Sequence, residues 1–248
     1  METFLRKMMQ TAGKAVEKIG HMKSPKSSPS SSAKPQVAEV SRSQFPPENQ
    51  LRRWVEALEQ KEVAQLIPNL AGKSVIQATT SGNRIWDTLS ERDAEFIIDL
   101  DMGNFEGSPS GQKPTNLQRV KANLLAAPFP DQSIDYFVLL GAGIRREDPA
   151  VWMKEMARVL KDGSRLVLSF LHPFVEYQFQ QGASFQHRLD HYFMSLKKAE
   201  IYVEEIKEYV ADESLKSLLG LSKNDKNFAQ VRGFPLLLVF KGIRLKRR

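Results

Sequence analysis

Ala127-Pro-Phe-Pro-Asp-Gln-Ser-Ile-Asp135 runs directly into the apolar stretch Tyr136-Phe-Val-Leu-Leu-Gly141. Two prolines and an Asp-Gln-Ser triplet specify a turn, and the unbroken apolar run after them specifies a strand buried on both faces. Arg146-Glu-Asp-Pro149 then opens a helix through Val151, Met156, Val159 and Leu160 that stops at Lys161-Asp162-Gly163. An aspartate or proline at the start and a glycine at the end are the expected caps. Residues 165–170 form a second apolar run, so turn, strand, helix and strand follow one another within about 45 residues, the grammar of a parallel sheet.

The same alternation extends in both directions. Pro47-Glu-Asn-Gln opens a helix carrying Leu51, Trp54, Val55, Leu58 and Val63. Strand-type runs follow at 74–78, 95–100 and 119–125. A helix through Leu189, Tyr192, Phe193, Leu196 and Ala199 precedes a strand over 201–210, and 233–245 forms the last strand. Between those two strands, 211–232 reads as a short helix and a polar loop. Ligands of such sheets bind beyond the carboxyl ends of the strands, where strand order reverses.

The flanks differ in character. Residues 2–21 place Phe4, Leu5, Met8, Met9, Ala12, Ala15, Val16 and Ile19 at helical spacing among Arg6, Lys7, Lys14 and Lys18. This predicts a basic amphipathic helix over 1–22, able to make a weak contact with a membrane surface or a protein. Residues 23–47, rich in Ser, Pro and Lys, predict a disordered linker, leaving 48–245 as the folded domain. The chain carries a formal charge of +7, but the basic excess lies in the first 50 and last eight residues. The body is close to neutral, so no specific nucleic-acid binding is expected. There are no cysteines, which excludes disulfides, thiolate metal sites and a cysteine nucleophile. With neither a signal-like N-terminus nor a spanning apolar run, the expected location is cytoplasmic.

The decisive stretch resembles the type 11 methyltransferase domain of the class I S-adenosylmethionine-dependent methyltransferases. In that family a "LPFPDxSFD" turn introduces the fourth strand, and an "EDP" helix start and an "E-x-x-RVLKPGG" helix end follow. Here the counterparts are 127–135, 146–149 and Glu155-Met-Ala-Arg-Val-Leu-Lys-Asp-Gly163. Leu168-Ser-Phe-Leu-His-Pro-Phe174 is similar to the family's "FSxxHP", and Phe185-Gln-His-Arg188 with Tyr192 to its "HR…Y". The resemblance covers roughly residues 50–245. It implies a Rossmann-like α/β fold: a mostly parallel seven-stranded sheet, helices on both faces, and an antiparallel last strand. It also implies S-adenosylmethionine as cofactor and a small-molecule or carrier-bound methyl acceptor.

Carried over residue by residue, the resemblance meets departures. The family's first strand ends in an acid and a G-x-G-x-G loop. Here Val75-Ile-Gln-Ala-Thr-Thr-Ser-Gly-Asn83 places Gln77 at the acid and Thr79, Ser81 and Asn83 at the glycines, with Gly82 alone remaining. The hydroxyls of Thr79, Thr80 and Ser81 would bind a ligand carboxylate or phosphate, or the turn simply caps the next helix. In Phe96-Ile-Ile-Asp-Leu-Asp101 the acids lie 20 and 22 residues beyond Thr79, the spacing of a carboxylate that grips ribose hydroxyls, and Asp101 is the nearer to the strand end. Residues 103–115, rich in Gly, Ser and Pro, stand where the family has a helix. Asn123, followed by Leu124, occupies the position of an adenine-binding aspartate, and Gly141 would let the chain pass close to the sulfonium. His172 and His187 are candidates for acid–base work, with a purely structural role as the alternative for each. Two readings follow: an active methyltransferase, or a catalytically inactive relative that serves as a binding or scaffold protein.

Overall fold

Apolar runs make poor surface strands, and those at 136–141 and 165–170 become neighbours in the sheet. The structure, a computed structural model, describes residues 46–79, 83–102, 114–122, 124–141, 148–175 and 189–246. The strands are β1 (Ser74–Thr79), β2 (Phe96–Asp101), β3 (Leu117–Lys121), β4 (Ile134–Gly141), β5 (Leu160–Leu171), β6 (Ile201–Val210) and β7 (Pro235–Arg244). They form one seven-stranded sheet in the order β3-β2-β1-β4-β5-β7-β6. Pairings from β3 through β5 are parallel, and β7 runs antiparallel to both its neighbours. The chain leaves β1 for β2 on one side and returns to β4 on the other, so the switch point lies at β1 and β4. The arm helix expected over 1–22, residues 23–45 of the expected linker and residues 103–113 lie outside the described residues.

Side-chain alternation divides the core into two layers. Val75, Ile97, Tyr136, Val138, Leu140 and Val167 pack against helix α1 (Glu48–Leu66), where Leu51, Trp54, Val55, Leu58 and Val63 form the buried stripe. Their strand neighbours Ile76, Ile98, Leu100, Phe137, Leu139 and Leu168 pack on the opposite face against Trp152, Met153 and Met156. Those three belong to helix α3 (Pro149–Val159); helix α2 (Trp86–Glu91) precedes it in the chain and helix α4 (Leu189–Lys198) follows. The 211–232 region holds two helices rather than one, α5 (Glu213–Leu218) and α6 (Lys226–Val231), each capped by a preceding aspartate, Asp212 and Asp225.

Helix α3 starts as its sequence predicts, with Asp148 accepting a hydrogen bond from Ala150 N and Pro149 in the first turn. It ends earlier than expected. Leu160 is already extended and pairs with Ile134, and the ladder resumes only at Arg165 opposite Tyr136. Gly163, at φ 78°, serves the irregular stretch within β5 rather than a helix cap. A Cβ there would meet nothing within 4 Å. Gly163→Ala is therefore expected to cost about 1 kcal/mol from left-handed backbone strain alone, measured by urea denaturation. Strand β3 is also shorter than expected, because β2 ends at Asp101, the partner of Lys121, and offers no ladder beyond it.

The phrases that carry the family resemblance turn out to fasten the fold. Arg158 donates to Ala127 O, Phe129 O, Asp131 and Glu155, and Glu155 accepts in turn from Ala127 N. The hydrogen bond from Arg158 holds Glu155 below the ordinary carboxylate pKa. Asp135 ties Ser74 N on β1 to Lys161 on β5. The "PFPD" turn and the "E-x-x-R" helix end therefore satisfy each other's polar groups in this chain.

Candidate functional site

On the α1 face the apolar layer stops short of the carboxyl ends of the strands, and polar groups take over. Gln77 and Thr79 on β1, Asp99 and Asp101 on β2, and Ser169 on β5 are all buried. The parallel register sets Gln77 beside Asp99 and Thr79 beside Asp101.

Asp99 is the hub, with no exposed surface. Its carboxylate accepts from Arg84 Nε at 3.1 Å, Arg119 Nε at 3.1 Å and Gln77 Nε2 at 3.3 Å. Gln77 Oε1 accepts from Ile85 N at 2.7 Å, so the amide in place of the family's acid ties the returning loop to β1. The guanidinium carbons of Arg84 and Arg119 lie 5.9 and 5.7 Å from the centroid of the Trp86 ring, within cation–π range. Asp101 is 6% exposed and lies 3.8 Å from Arg84 Nη2. The carboxylate expected to meet a ribose thus has a guanidinium at its side, on the loop that would cradle the same ligand.

A third buried carboxylate comes from α1. Glu59 on α1 has no exposed surface. It accepts from Asn83 Nδ2 at 3.0 Å and from the Ser169 hydroxyl. Ser169 Oγ also lies 3.4 Å from Gly141 N, at the end of β4. Glu59 therefore joins the last position of the degenerate glycine loop to the ends of β4 and β5.

The other predicted residues divide as follows. Thr79, Asp101 and Gly141 stand at the carboxyl ends of β1, β2 and β4. Leu124 is buried in the opposite core layer, the one that holds Leu100 and Ile98. Ser81, Gly82, Asn123 and His187 lie outside the described residues. His172 follows β5 with both ring nitrogens engaged: Nδ1 accepts from Phe174 N at 3.2 Å, and Nε2 lies 2.9 Å from the Glu208 carboxylate on β6. Acting as a base would require His172 to give up one of those bonds.

Burial pushes the His172 pKa below its ordinary value, against the opposing pull of Glu208. Unfolding restores the ordinary value, near 6.5. Below that pH the unfolded chain takes up a proton that the folded chain resists. The stability this contributes is thus full at neutral pH and falls as pH drops below about 6.5. His172→Gln is expected to flatten the pH dependence of the melting temperature between about pH 7 and 5, and an unchanged slope would contradict the assignment.

Sequence reading missed Arg84, Arg119, Glu59 and Ser169. Two signals were present. Asp99 lies mid-strand in an apolar run and demands a partner, and Arg119 holds the matching register on β3. Glu59 falls four residues after Val55 and four before Val63, on the apolar stripe of α1.

Residues 97–168, from β2 to β5, match the methyltransferase domain family. No curated protein matches the chain. Among solved structures, an S-adenosylmethionine-dependent methyltransferase from Mesorhizobium loti is similar at TM-score 0.60 and 13% identity, covering 77% of this chain and 100% of that one. A putative methyltransferase solved in complex with the Haloferax volcanii Trm112 activator is similar at TM-score 0.60 and 16% identity, covering 79% and 98%. Geranyl diphosphate C-methyltransferase from Streptomyces coelicolor, solved with Mg2+, geranyl diphosphate and S-adenosyl-L-homocysteine, is similar at TM-score 0.56 and 13% identity, covering 78% and 80%. The strand order and the antiparallel β7 give the chain the class I methyltransferase fold, and residues 97–168 within it match the methyltransferase domain family.

Proposed function

We propose that the chain binds S-adenosylmethionine at the carboxyl ends of β1, β2 and β4 and methylates a small-molecule or carrier-bound acceptor. The observation that carries this reading is the placement of Asp101. It ends β2 beside Thr79 at the end of β1, next to the switch point and inside the segment that matches the family. The donor set suits the cofactor: a nearly buried carboxylate for ribose hydroxyls, a threonine at the loop entrance, and Gly141 where the chain must pass closely. The cofactor's contribution is a methyl group on a sulfonium, already activated for transfer. The protein's contribution is then alignment, holding the acceptor in line with that methyl and excluding water. Solved relatives of this fold bind S-adenosyl-L-homocysteine, which supports the same assignment.

One observation favours a second reading, that of a catalytically inactive relative used for binding. Arg84 engages Asp99 and approaches Asp101, and Gln77 replaces the acid of the first strand. Incubation with methyl-labelled S-adenosylmethionine and fractionated small-molecule and carrier-protein pools separates the two readings. Label entering either pool supports the enzyme, whereas binding without transfer to any pool supports the binding protein.

A further inference from the structure

We infer that the outer edge of β6 pairs with β6 of a second copy of this chain, antiparallel, about a two-fold axis at Ile206. β6 ends the sheet and is bonded to β7 on one side only. It is ten residues long, whereas β3, the strand at the other edge, has five. Long edges present a row of backbone groups to any passing strand, and chains that stay monomeric shorten or cover them. This edge is also apolar in part. Tyr202 and Ile206 are each 45% exposed and Val210 is 37% exposed, all on this one strand.

The charges on β6 select the partner. Val203 pairs with Gly242 and Glu205 with Lys241, so Glu204 is the extra residue of a bulge. Glu204 bonds Arg165 of β5 at 3.2 Å, and Glu205 lies 3.1 Å from Lys207. Arg165 stands beside Tyr136 in register, and Lys207 is paired with Val239 of the α1-side layer, which sets all three charged groups of β6 on that face. A bulge and alternating charges bar most pairings, and one register accommodates both. With Ile206 opposite itself, Lys207 of each strand faces the Glu204–Glu205 pair of the other, so an ammonium meets two carboxylates twice over. Beyond the bulge, Tyr202 of each strand meets Tyr209 of the other. Both lie on the α1 side, Tyr202 paired with Ile243 and Tyr209 packed against that core layer. Opposite charges and aromatic pairs are favourable cross-strand partners. An axis at Glu205 or Lys207 would instead oppose like charges, as would a parallel pairing in register. The surface is therefore self-complementary, as a two-fold interface requires.

Sedimentation of the full chain at about 1–100 μM tests this. The average mass should rise with concentration from the 28.2 kDa of one chain towards twice that value. A single-chain mass throughout overturns the proposal. Lys207→Glu sets three carboxylates together at each end and is expected to weaken association by at least about 10-fold. The double variant Glu204→Lys, Glu205→Lys should lose association for the mirrored reason. An equimolar mixture of the two variant proteins should dimerise again, since each lysine pair then faces a glutamate and each glutamate pair a lysine. Undiminished association of Lys207→Glu, or a mixture no better than its components, overturns the proposal. Hydrogen exchange on wild type covers a variant that does not fold. Amides of 202–210 should gain protection at the higher concentration while those of β3 do not, and unchanged protection in β6, or a gain confined to β3, overturns the pairing.

Discussion

Asp99→Ala is expected to lower the free energy of unfolding by about 3–5 kcal/mol, the range for breaking a buried ion pair by removing one partner. The size follows from what is left behind. Arg84 and Arg119 both direct Nε at this carboxylate, and the Arg84 side chain is only 6% exposed. Water cannot readily replace the lost acceptor. Asp99→Asn retains the shape and one carbonyl acceptor and should fall between wild type and alanine. Arg119→Leu in the alanine background should recover part of the loss, because one orphaned cation is removed, so the two changes will not add. Urea denaturation of the four proteins measures this. A loss under about 1 kcal/mol, as for exposed ion pairs, would show that the network is not structural.

The second large effect concerns ligand affinity. Asp101→Ala is expected to weaken S-adenosylmethionine binding by about 1.5–3 kcal/mol, or roughly 10–150-fold, the range for hydrogen bonds to a charged group. Stability should change far less than at Asp99, since Asp101 stands at the strand end and its contact with Arg84 is longer, at 3.8 Å. On the proposed reading the two aspartates, two residues apart on one strand face, would separate into a structural and a binding role. Ligand-induced thermal shifts on both variants distinguish them: Asp99→Ala starts from a lower melting temperature, whereas Asp101→Ala starts near wild type and loses the shift. An Asp101→Ala protein with an undiminished shift would place the ribose elsewhere.

Much of the fold was legible because its signals are local. Apolar runs at 74–79, 96–101 and 134–141, the Asp148-Pro149 start of α3, and the ordered family phrases each specify an element from adjacent residues. Of the candidate site, only placement at a strand end was legible, as for Thr79, Asp101 and Gly141. The rest depends on register and on approach from other elements. Arg84 meets Asp99 across 15 residues, Arg119 across 20, and Ser169 meets Glu59 across 110. Nothing within any one of these segments specifies its partner. The early end of α3 was hidden for a related reason, since Gly163 looks like a helix cap until Leu160 is seen to pair with Ile134.

The central claim is that this chain retains a cofactor site at the carboxyl ends of β1, β2 and β4 despite its altered glycine loop. Calorimetric titration of S-adenosylmethionine into the purified full chain tests it most directly. Saturable binding to one site per chain is expected, greatly weakened by Asp101→Ala, with the variant still folded by circular dichroism. Absence of binding by folded wild-type protein, to S-adenosylmethionine and S-adenosylhomocysteine alike, would contradict it.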